Sequence, residues 1–365
     1  MDGRGGKGVG EVGGRLLALC AAILFASGVA SAQGVEETAT FGRDDASFRL
    51  VVRGAVDVDV ITPILERFVG ALPDLRVTFE SWNTNDLFEQ ALAECRDGKP
   101  AADLLFSSGV DQLVKLVNDG CAQPHHSVLA SALPRDANWR DELFGLTEEP
   151  AVIVYNRDLV AASDAPRSRF DLIDLLRSTD RGYDGRVATY DIENSGIGYL
   201  FAFADSEQAT TYGSLIEAFA RSGAVATCCS AEIIQAVAEG RYLIAYNVLG
   251  SYALARAAQD RRIAVVAPED YTLILRRAAM IPTGAENPTA AGLLIDFLLS
   301  PDGRAALAEA HLLSPFGQEG GADEPDLASF RPIPLSPRLL LGLDAQKRAS
   351  FLARWRATFT PLGVP

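Results

Sequence analysis

Stretches of strand length alternate with stretches of helical periodicity between residues 47 and 120. Three segments rich in Val, Leu and Phe are typical of buried strands: residues 47–56, 76–82 and 101–109. Three segments with apolar residues at helical spacing follow them in turn: residues 59–72, 86–98 and 110–120. This alternation predicts a parallel sheet covered by helices. The polar residues 33–46 before it predict a loose terminus.

A longer extended run interrupts the alternation. Residues 143–160 pass through Gly145 and Pro150, as a connection between two lobes would. Strands and helices then alternate again until residues 271–282, which predict a return crossing. We therefore expect an α/β fold of two lobes joined by a hinge of two crossings. Lobe 1 would comprise residues 33–147 and 273–365, and lobe 2 residues 148–272. Ligands of open α/β sheets bind at the carboxyl ends of the strands, which predicts a cleft between the lobes.

The N-terminal residues have the pattern of a secretory signal peptide. Arg4, Lys7 and Arg15 precede an apolar stretch, and the small residues 30–32 suit a cleavage site. Removal of residues 1–32 would change the formal net charge from -15 to -16 and leave an exported protein. We do not expect the protein to bind nucleic acid, because its negative net charge repels the phosphate backbone and its sequence has no cluster of basic residues to offset this.

Four cysteines remain after residue 32. Cys95 and Cys121 are a plausible disulfide in an oxidising compartment, whereas the neighbours Cys228 and Cys229 could form a vicinal bridge or stay free. A zinc site is not expected, because the chain has no CxxC spacing and only three histidines: His125, His126 and His311. No metal or cofactor is predicted.

Several blocks resemble the periplasmic solute-binding proteins of ATP-driven importers, in the branch that includes binders of ferric iron and of phosphorylated or phosphonate compounds. The resemblance rests on residues 101–120, 148–160, 245–255, 287–310 and 335–355. It implies the type II two-lobed periplasmic-binding-protein fold and a monomer without catalysis or cofactor. It also implies transient delivery of a small-molecule ligand to an ABC permease in the inner membrane.

One departure from the branch concerns iron. Ferric binders of this kind present adjacent tyrosines after the strand at residues 241–247, but this chain has Leu249 and Gly250 there and a single Tyr252 beyond. Ferric iron prefers several anionic oxygen ligands. An iron or iron-chelate binding protein therefore stays an alternative, as do a sensory partner of a membrane histidine kinase and, least favoured, an exported hydrolase.

Polar side chains follow three predicted strands and open the next helices, where backbone N–H groups suit anionic oxygens. We therefore predict a small anionic solute, an organic phosphate, phosphonate or carboxylate. Candidate ligand-binding residues at the three strand ends are Ser107, Ser108 and Gly109, then Asn194, Ser195 and Gly196, and lastly Asn247, Ser251 and Tyr252. The crossings add Glu148 and Tyr271, and Glu148 with Glu149 could instead anchor a spermidine-like or thiamine-like cation.

Each candidate also has a structural interpretation. Ser107, Ser108 and Ser195 could serve only as helix caps, and Asn247 could be a hydrogen-bonded core residue. No catalytic residue is predicted, because a GxSxG elbow is absent from the sequence. Glu148 and Glu149 would point to opposite faces of an extended segment, which does not suit a shared acid/base role.

Overall fold

The computed structural model describes residues 34–178, 181–208, 210–314 and 327–359. The predicted signal peptide, residues 1–32, lies outside the described residues. Within these ranges, no helix has an apolar stretch of the length that a bilayer requires.

The first sheet has eight strands: β1 (Val35–Phe41), β2 (Phe48–Gly54), β3 (Leu75–Trp82), β4 (Leu104–Ser107), β5 (Ala122–Gln123), β6 (Asn138–Trp139), β7 (Leu143–Gly145) and β14 (Ala278–Pro282). Their order is β1-β3-β2-β4-β14-β7-β6, and β5 pairs with β14. The pairs β2–β3 and β2–β4 are parallel, as the alternation predicts. The pairs that involve β1, β14 and β6 are antiparallel, so the sheet is mixed rather than wholly parallel.

The second sheet has seven strands: β8 (Glu149–Asn156), β9 (Val187–Tyr190), β10 (Val225–Thr227), β11 (Ile244–Leu249), β12 (Ile263–Val266), β13 (Thr272–Leu275) and β15 (Phe330–Pro332). Their order is β10-β9-β11-β8-β13-β15, with β12 beside β8. Here too the sheet is mixed, because β8 runs antiparallel to β11, β12 and β13.

Thirteen α-helices occur in the described ranges. Those before the second sheet are α1 (Val58–Ala71), α2 (Thr84–Asp97), α3 (Val110–Asn118) and α4 (Val128–Ser131). Those among its strands are α5 (Arg169–Arg177), α6 (Gly196–Gln208), α7 (Tyr212–Ser222), α8 (Ser230–Ala238) and α9 (Gly250–Gln259). The remaining helices are α10 (Pro288–Leu299), α11 (Pro301–Glu309), α12 (Leu340–Leu343) and α13 (Ala345–Phe359).

Two short crossings join the sheets. The chain leaves the first sheet after β7 and enters the second at β8, and it returns between β13 and β14. The crossings are tied together: the Leu146 N–H donates to the Arg277 carbonyl (2.9 Å), and the Arg277 N–H donates to Thr147 Oγ1 (2.7 Å). The two-crossing hinge predicted from residues 143–160 and 271–282 is therefore present. We refer below to the parts built on the two sheets as the first and second halves.

Two expectations about the chain ends differ from the structure. Residues 35–41 form the edge strand β1 against β3 instead of a loose terminus. The predicted lobe 1 included residues 273–365, but β15 pairs with β13 of the second sheet. Phe351, Leu352 and Trp355 of α13 likewise pack in a cluster with α6. The apolar face of the last helix thus covers the second half.

Both cysteine pairs are disulfide-bonded. Cys95 at the end of α2 is bonded to Cys121, which confirms the predicted pair. Cys228 and Cys229 form the vicinal bridge, the alternative that the sequence left open.

Candidate functional site

A cleft of about 350 Å³ lies between the two halves. Its lining comes from the carboxyl ends of β2, β3 and β4 in the first half and of β9, β10 and β11 in the second. Parallel strands place the starts of their following helices at the same sheet edge, which explains why residues distant in sequence meet here. The structure therefore has a cleft at the strand ends.

The floor of the cleft is buried and polar. Ser108, one residue before the N-cap of α3, is only 2% exposed and lines the cleft. Tyr190 lines the floor from the other half, and its hydroxyl accepts from the Leu249 N–H (3.2 Å) and contacts the Ser230 hydroxyl. Burial raises the pKa of Tyr190 to about 12, so this phenol stays protonated. The floor thus offers neutral hydroxyl groups.

Arg277 also lines the cleft, from the return crossing. Its guanidinium is fully buried and faces the carboxylate of Glu149, with Nε–Oε1 and Nη2–Oε2 distances of 3.2 Å. Its Nη1 donates to the Ala55 carbonyl. Burial acts to lower the pKa of Arg277, but the charge and hydrogen bonds of Glu149 together with the nearby Tyr252 and Asp57 outweigh it, and the net pKa is raised. Arg277 is therefore charged, and its charge is largely compensated by Glu149.

The rim of the cleft is acidic. Glu36 of β1 and Asp57 before α1 belong to the first half, and Glu232 in the first turn of α8 belongs to the second. All three side chains are exposed. Partial loss of hydration and the nearby negative charges of Asp57, Asp86 and Glu232 raise the pKa of Glu36. These carboxylates are thus close enough for their charges to interact across the cleft.

One wall of the second half is the Cys228–Cys229 disulfide, which occupies the turn between β10 and α8. Cys229 has the left-handed φ of 70° and stands at the N-cap of α8 without a side-chain capping bond. The disulfide gives this wall an apolar surface beside the first N–H groups of the helix.

Hydrogen bonds join the halves across the cleft. The Gly196 N–H at the start of α6 donates to Thr84 Oγ1 at the start of α2 (2.9 Å), and the Asp57 N–H donates to the Tyr252 hydroxyl (3.3 Å). A Cβ on Gly196 would lie 2.7 Å from Thr84 Oγ1 and 2.9 Å from Asn85 Oδ1. Only glycine permits this close approach of the two helix starts.

Three of the predicted ligand-binding residues line the cleft, namely Ser108, Ser195 and Tyr252. Others lie next to it with their polar groups in use. Ser107 Oγ accepts the Gly109 N–H (3.0 Å) in the turn before α3. Gly109 is the N-cap of α3 and no side chain caps this helix, so the capping role allowed for Ser107 and Ser108 is not formed. Asn194 donates to Asp191 Oδ2 (2.6 Å).

The remaining predicted residues point elsewhere. Asn247 and Tyr271 both donate to the buried carboxylate of Asp205, at 3.0 and 2.9 Å. The Ser251 hydroxyl donates to the carboxylate of Glu149 (2.6 Å), the partner of Arg277. Glu148 lines a separate cavity behind the hinge. The structure thus gives Asn247, Ser251 and Tyr271 structural partners.

Arg277, Glu36 and Glu232 were missed from the sequence. Arg277 lies in the return crossing, directly after an apolar run. The sequence pattern does not show that this crossing places its side chain between the two sheets. Glu36 lies in the segment predicted to be loose, and Glu232 looks like an ordinary acidic residue at a helix start. Among the described residues, no group of three or more His, Cys, Asp and Glu side chains is placed to hold a metal ion.

Comparison with known proteins identifies the family. A sequence profile for bacterial extracellular solute-binding proteins matches residues 50–313, well over half of the chain. This chain therefore belongs to that family. The probable ABC transporter periplasmic-binding protein y4fP of Sinorhizobium fredii (strain NBRC 101917 / NGR234) is 28% identical over 234 residues. That alignment covers 61% of this chain and spans 62% of the length of y4fP.

Solved structures share the fold. The substrate binding protein of an ABC transporter from Agrobacterium tumefaciens is 34% identical, with a TM-score of 0.82, over 89% of this chain and 98% of that chain. Iron-bound HitA from Pseudomonas aeruginosa is 16% identical (TM-score 0.66, covering 86% of this chain and 100% of HitA). AfuA from Actinobacillus pleuropneumoniae, with fructose-6-phosphate bound, is 17% identical (TM-score 0.67, covering 86% and 99%). At such identity these two show the fold alone, which is that of the type II periplasmic binding proteins.

Proposed function

We propose that this protein captures a small solute in the cleft and presents it to an ABC permease, acting in the periplasm without catalysis. Family membership and the likeness to the Agrobacterium substrate binding protein support the transport role. The cleft supports the mechanism, because both halves line it and short crossings connect them. Closure of the halves around the solute would bury it.

For the solute, we propose a compound with an ammonium or other cationic group. The observation that carries this proposal is the acidic rim, to which Glu36 and Asp57 contribute from one half and Glu232 from the other. Glu149 already compensates Arg277, the arginine of the cleft lining. The field at the rim is therefore negative and attracts a cation.

The acidic rim also supplies a mechanism for closure. Without a ligand, Glu232 repels Glu36 and Asp57 from the opposite half, and this repulsion favours separation of the halves. A cation placed between the carboxylates replaces the repulsion with attraction. The cation would thus bind the closed form more tightly than the open form, which is the condition for ligand-driven closure.

A second candidate is the anionic solute predicted from the sequence. The hydroxyl of Ser108 in the cleft lining and the starts of α3 and α8 favour it, since a hydroxyl and the free N–H groups of a helix start can both donate hydrogen bonds to a carboxylate or phosphate. Ferric iron has less support, because Tyr252 has no adjacent tyrosine and the described residues contain no metal-binding cluster.

A thermal-shift screen followed by calorimetry tests the proposal. The purified protein is tested against putrescine, choline and amino acids, against phosphonates, sugar phosphates and dicarboxylates, and against ferric iron. A ligand at a hundred times its Kd stabilises the folded state by about 2.7 kcal/mol. We expect stabilisation by an ammonium compound and weakening by about tenfold in Glu232→Gln, with Glu309→Gln on α11 as the control. The second candidate would be supported instead if only an anion stabilised the protein. That stabilisation should then be lost in Ser108→Ala and unchanged in Glu232→Gln.

A further inference from the structure

A second cavity, of about 260 Å³, lies behind the hinge. Gly145 at the end of β7 and Thr147 and Glu148 of the first crossing line it, together with Arg276 of the return crossing and Arg304 of α11. It shares no lining residue with the cleft. We call it the rear cavity.

Two guanidinium groups face the rear cavity. Arg276 is held by Asp136 (Nη1–Oδ2 2.6 Å) and lies 3.9 Å from the Glu148 carboxylate. Arg304 donates from Nη1 to the Leu146 carbonyl (2.8 Å), and among the described residues no carboxylate is within salt-bridge distance of it. Arg304 is thus a partly buried cation whose bonded partner is a neutral carbonyl.

The charge balance around Arg304 is incomplete. Burial lowers the pKa of Arg304, and the raising effect of Glu148 does not offset burial and the nearby positive charge of Arg276. Arg276 already has Asp136 and Glu148 beside it, whereas Arg304 has no carboxylate partner among the described residues, so an anion beside Arg304 would supply the missing counter-charge. A guanidinium binds a planar carboxylate especially well, because two of its N–H groups match the two carboxylate oxygens.

Part of the lining of the rear cavity is apolar. Leu129, Leu133 and Pro134 line it from α4 and the turn after it, and Leu299 lines it from the end of α10. An inorganic ion would leave this surface without a partner. A small organic acid would cover it with its hydrocarbon part.

We propose that the rear cavity binds a small organic carboxylate, whose acid group contacts Arg304 and Arg276 and whose apolar body packs against Leu133 and Leu299. The Glu148 side chain, about half exposed (47%), can turn to solvent as the carboxylate enters. Both crossings line the cavity, so its occupant sits against the hinge. This site is separate from the cleft and does not depend on the proposed function.

Calorimetric titration of the purified protein with benzoate tests the proposal. We expect saturable binding of benzoate, weaker binding of inorganic phosphate and none of the neutral isostere benzamide. Arg304→Gln keeps a donor for the Leu146 carbonyl and should weaken benzoate binding by about tenfold or more, as should Arg276→Gln. Arg67→Gln, which removes an exposed arginine paired with Glu309, is the matched control and should leave binding unchanged.

Other outcomes overturn the proposal. Absence of benzoate binding, or equal binding by Arg304→Gln, Arg276→Gln and the unmodified protein, shows that no such site exists at these arginines. Phosphate binding tighter than benzoate binding contradicts an organic ligand. Circular dichroism and the unfolding midpoint of each variant show whether a loss of binding reflects the site or the fold. If both arginine variants unfold, the unmodified protein is treated with phenylglyoxal, a reagent that modifies arginine. Benzoate should then protect Arg304 from modification, and lack of protection rejects the site.

Discussion

Arg277 and Glu149 form an ion pair with both side chains fully buried, at the place where the two crossings meet. The pair connects the return crossing to the first strand of the second sheet. Thr147 and Ser251 also donate to Glu149, at 2.8 and 2.6 Å, so its carboxylate has four donated hydrogen bonds.

We expect Glu149→Gln to destabilise the protein by about 3 kcal/mol or more, because it leaves the buried guanidinium of Arg277 without its counter-charge. Denaturant unfolding measures the change. The double variant Glu149→Gln/Arg277→Met should recover part of the loss, since it removes the uncompensated charge. A double variant no more stable than Glu149→Gln alone would show that the ion pair is not the source of the effect.

Asp205→Asn should also destabilise the protein, by about 2–4 kcal/mol. The Asp205 carboxylate accepts from Arg169 (2.9 Å), Tyr246 (2.5 Å), Asn247 and Tyr271, and an amide cannot accept from all four. Tyr246→Phe removes one donor only and should cost about 1 kcal/mol. Unfolding free energies of the two variants give the comparison, and equal losses would contradict a shared buried acceptor.

Gly196→Ala should hold the two halves apart. The added methyl group would meet Thr84 and Asn85 across the cleft, and such overpacking costs about 1–3 kcal/mol in the closed form. We expect a larger radius of gyration in small-angle scattering and weaker binding of any cleft ligand. Gly70→Ala in α1, where a Cβ meets nothing within 4 Å, is the control. Scattering curves that are identical for both variants would argue against a closed contact at Gly196.

The vicinal disulfide can be tested through backbone strain. Without the bridge, a side chain at the left-handed φ of Cys229 costs about 1–2 kcal/mol, whereas glycine does not pay this cost. Cys228→Ala/Cys229→Gly should therefore be more stable than Cys228→Ala/Cys229→Ala by about 1 kcal/mol. The same unfolding assay compares them, and equal stability would mean that residue 229 leaves the left-handed region once the bridge is absent.

Binding of a cationic solute should weaken as the pH falls. Partial loss of hydration and the negative charges of Asp57, Asp86 and Glu232 raise the pKa of Glu36, so this carboxylate takes up a proton at a higher pH than an ordinary glutamate. Protonation removes one negative charge from the rim, while the fold itself loses a repulsion and gains stability as the pH falls through that pKa. Calorimetry across the acidic range measures the effect, and Glu36→Gln should flatten it. An affinity that rises on acidification would favour the anionic candidate.

Much of the fold could be predicted from hydrophobic periodicity. The parallel units β2–α1–β3 and β2–β4 follow from buried strands of Val, Leu and Phe separated by amphipathic helices. The direction of the strands after the crossings could not be predicted. An extended segment such as β14 has the same hydrophobic pattern whether it runs parallel or antiparallel to its neighbours. The strand β1 was missed because its residues are mostly exposed on an edge, where polar side chains are tolerated.

The site was predictable only in part. Ser108 and Ser195 reach the cleft because each lies between a strand end and a helix start. Asn247 does not, because a bulge between Ala245 and Val248 and a left-handed φ of 63° place its side chain, with that of Tyr246, against Asp205. An irregularity of one residue changes the face that a side chain occupies, and the residue types alone do not reveal it.

The position of β14 also determines the order in which the molecule can fold. This strand lies between β4 and β7, and it pairs Ala278 with Ser107, about 170 residues earlier in the chain. The centre of the first sheet therefore cannot form until about three quarters of the chain is available. Pairing between segments so far apart in sequence slows folding. In the second sheet, by contrast, all strands except β15 come from the continuous stretch of residues 149–275. The strands of the second sheet are thus nearly all local to one stretch of chain, whereas the centre of the first sheet joins segments from both sides of that stretch.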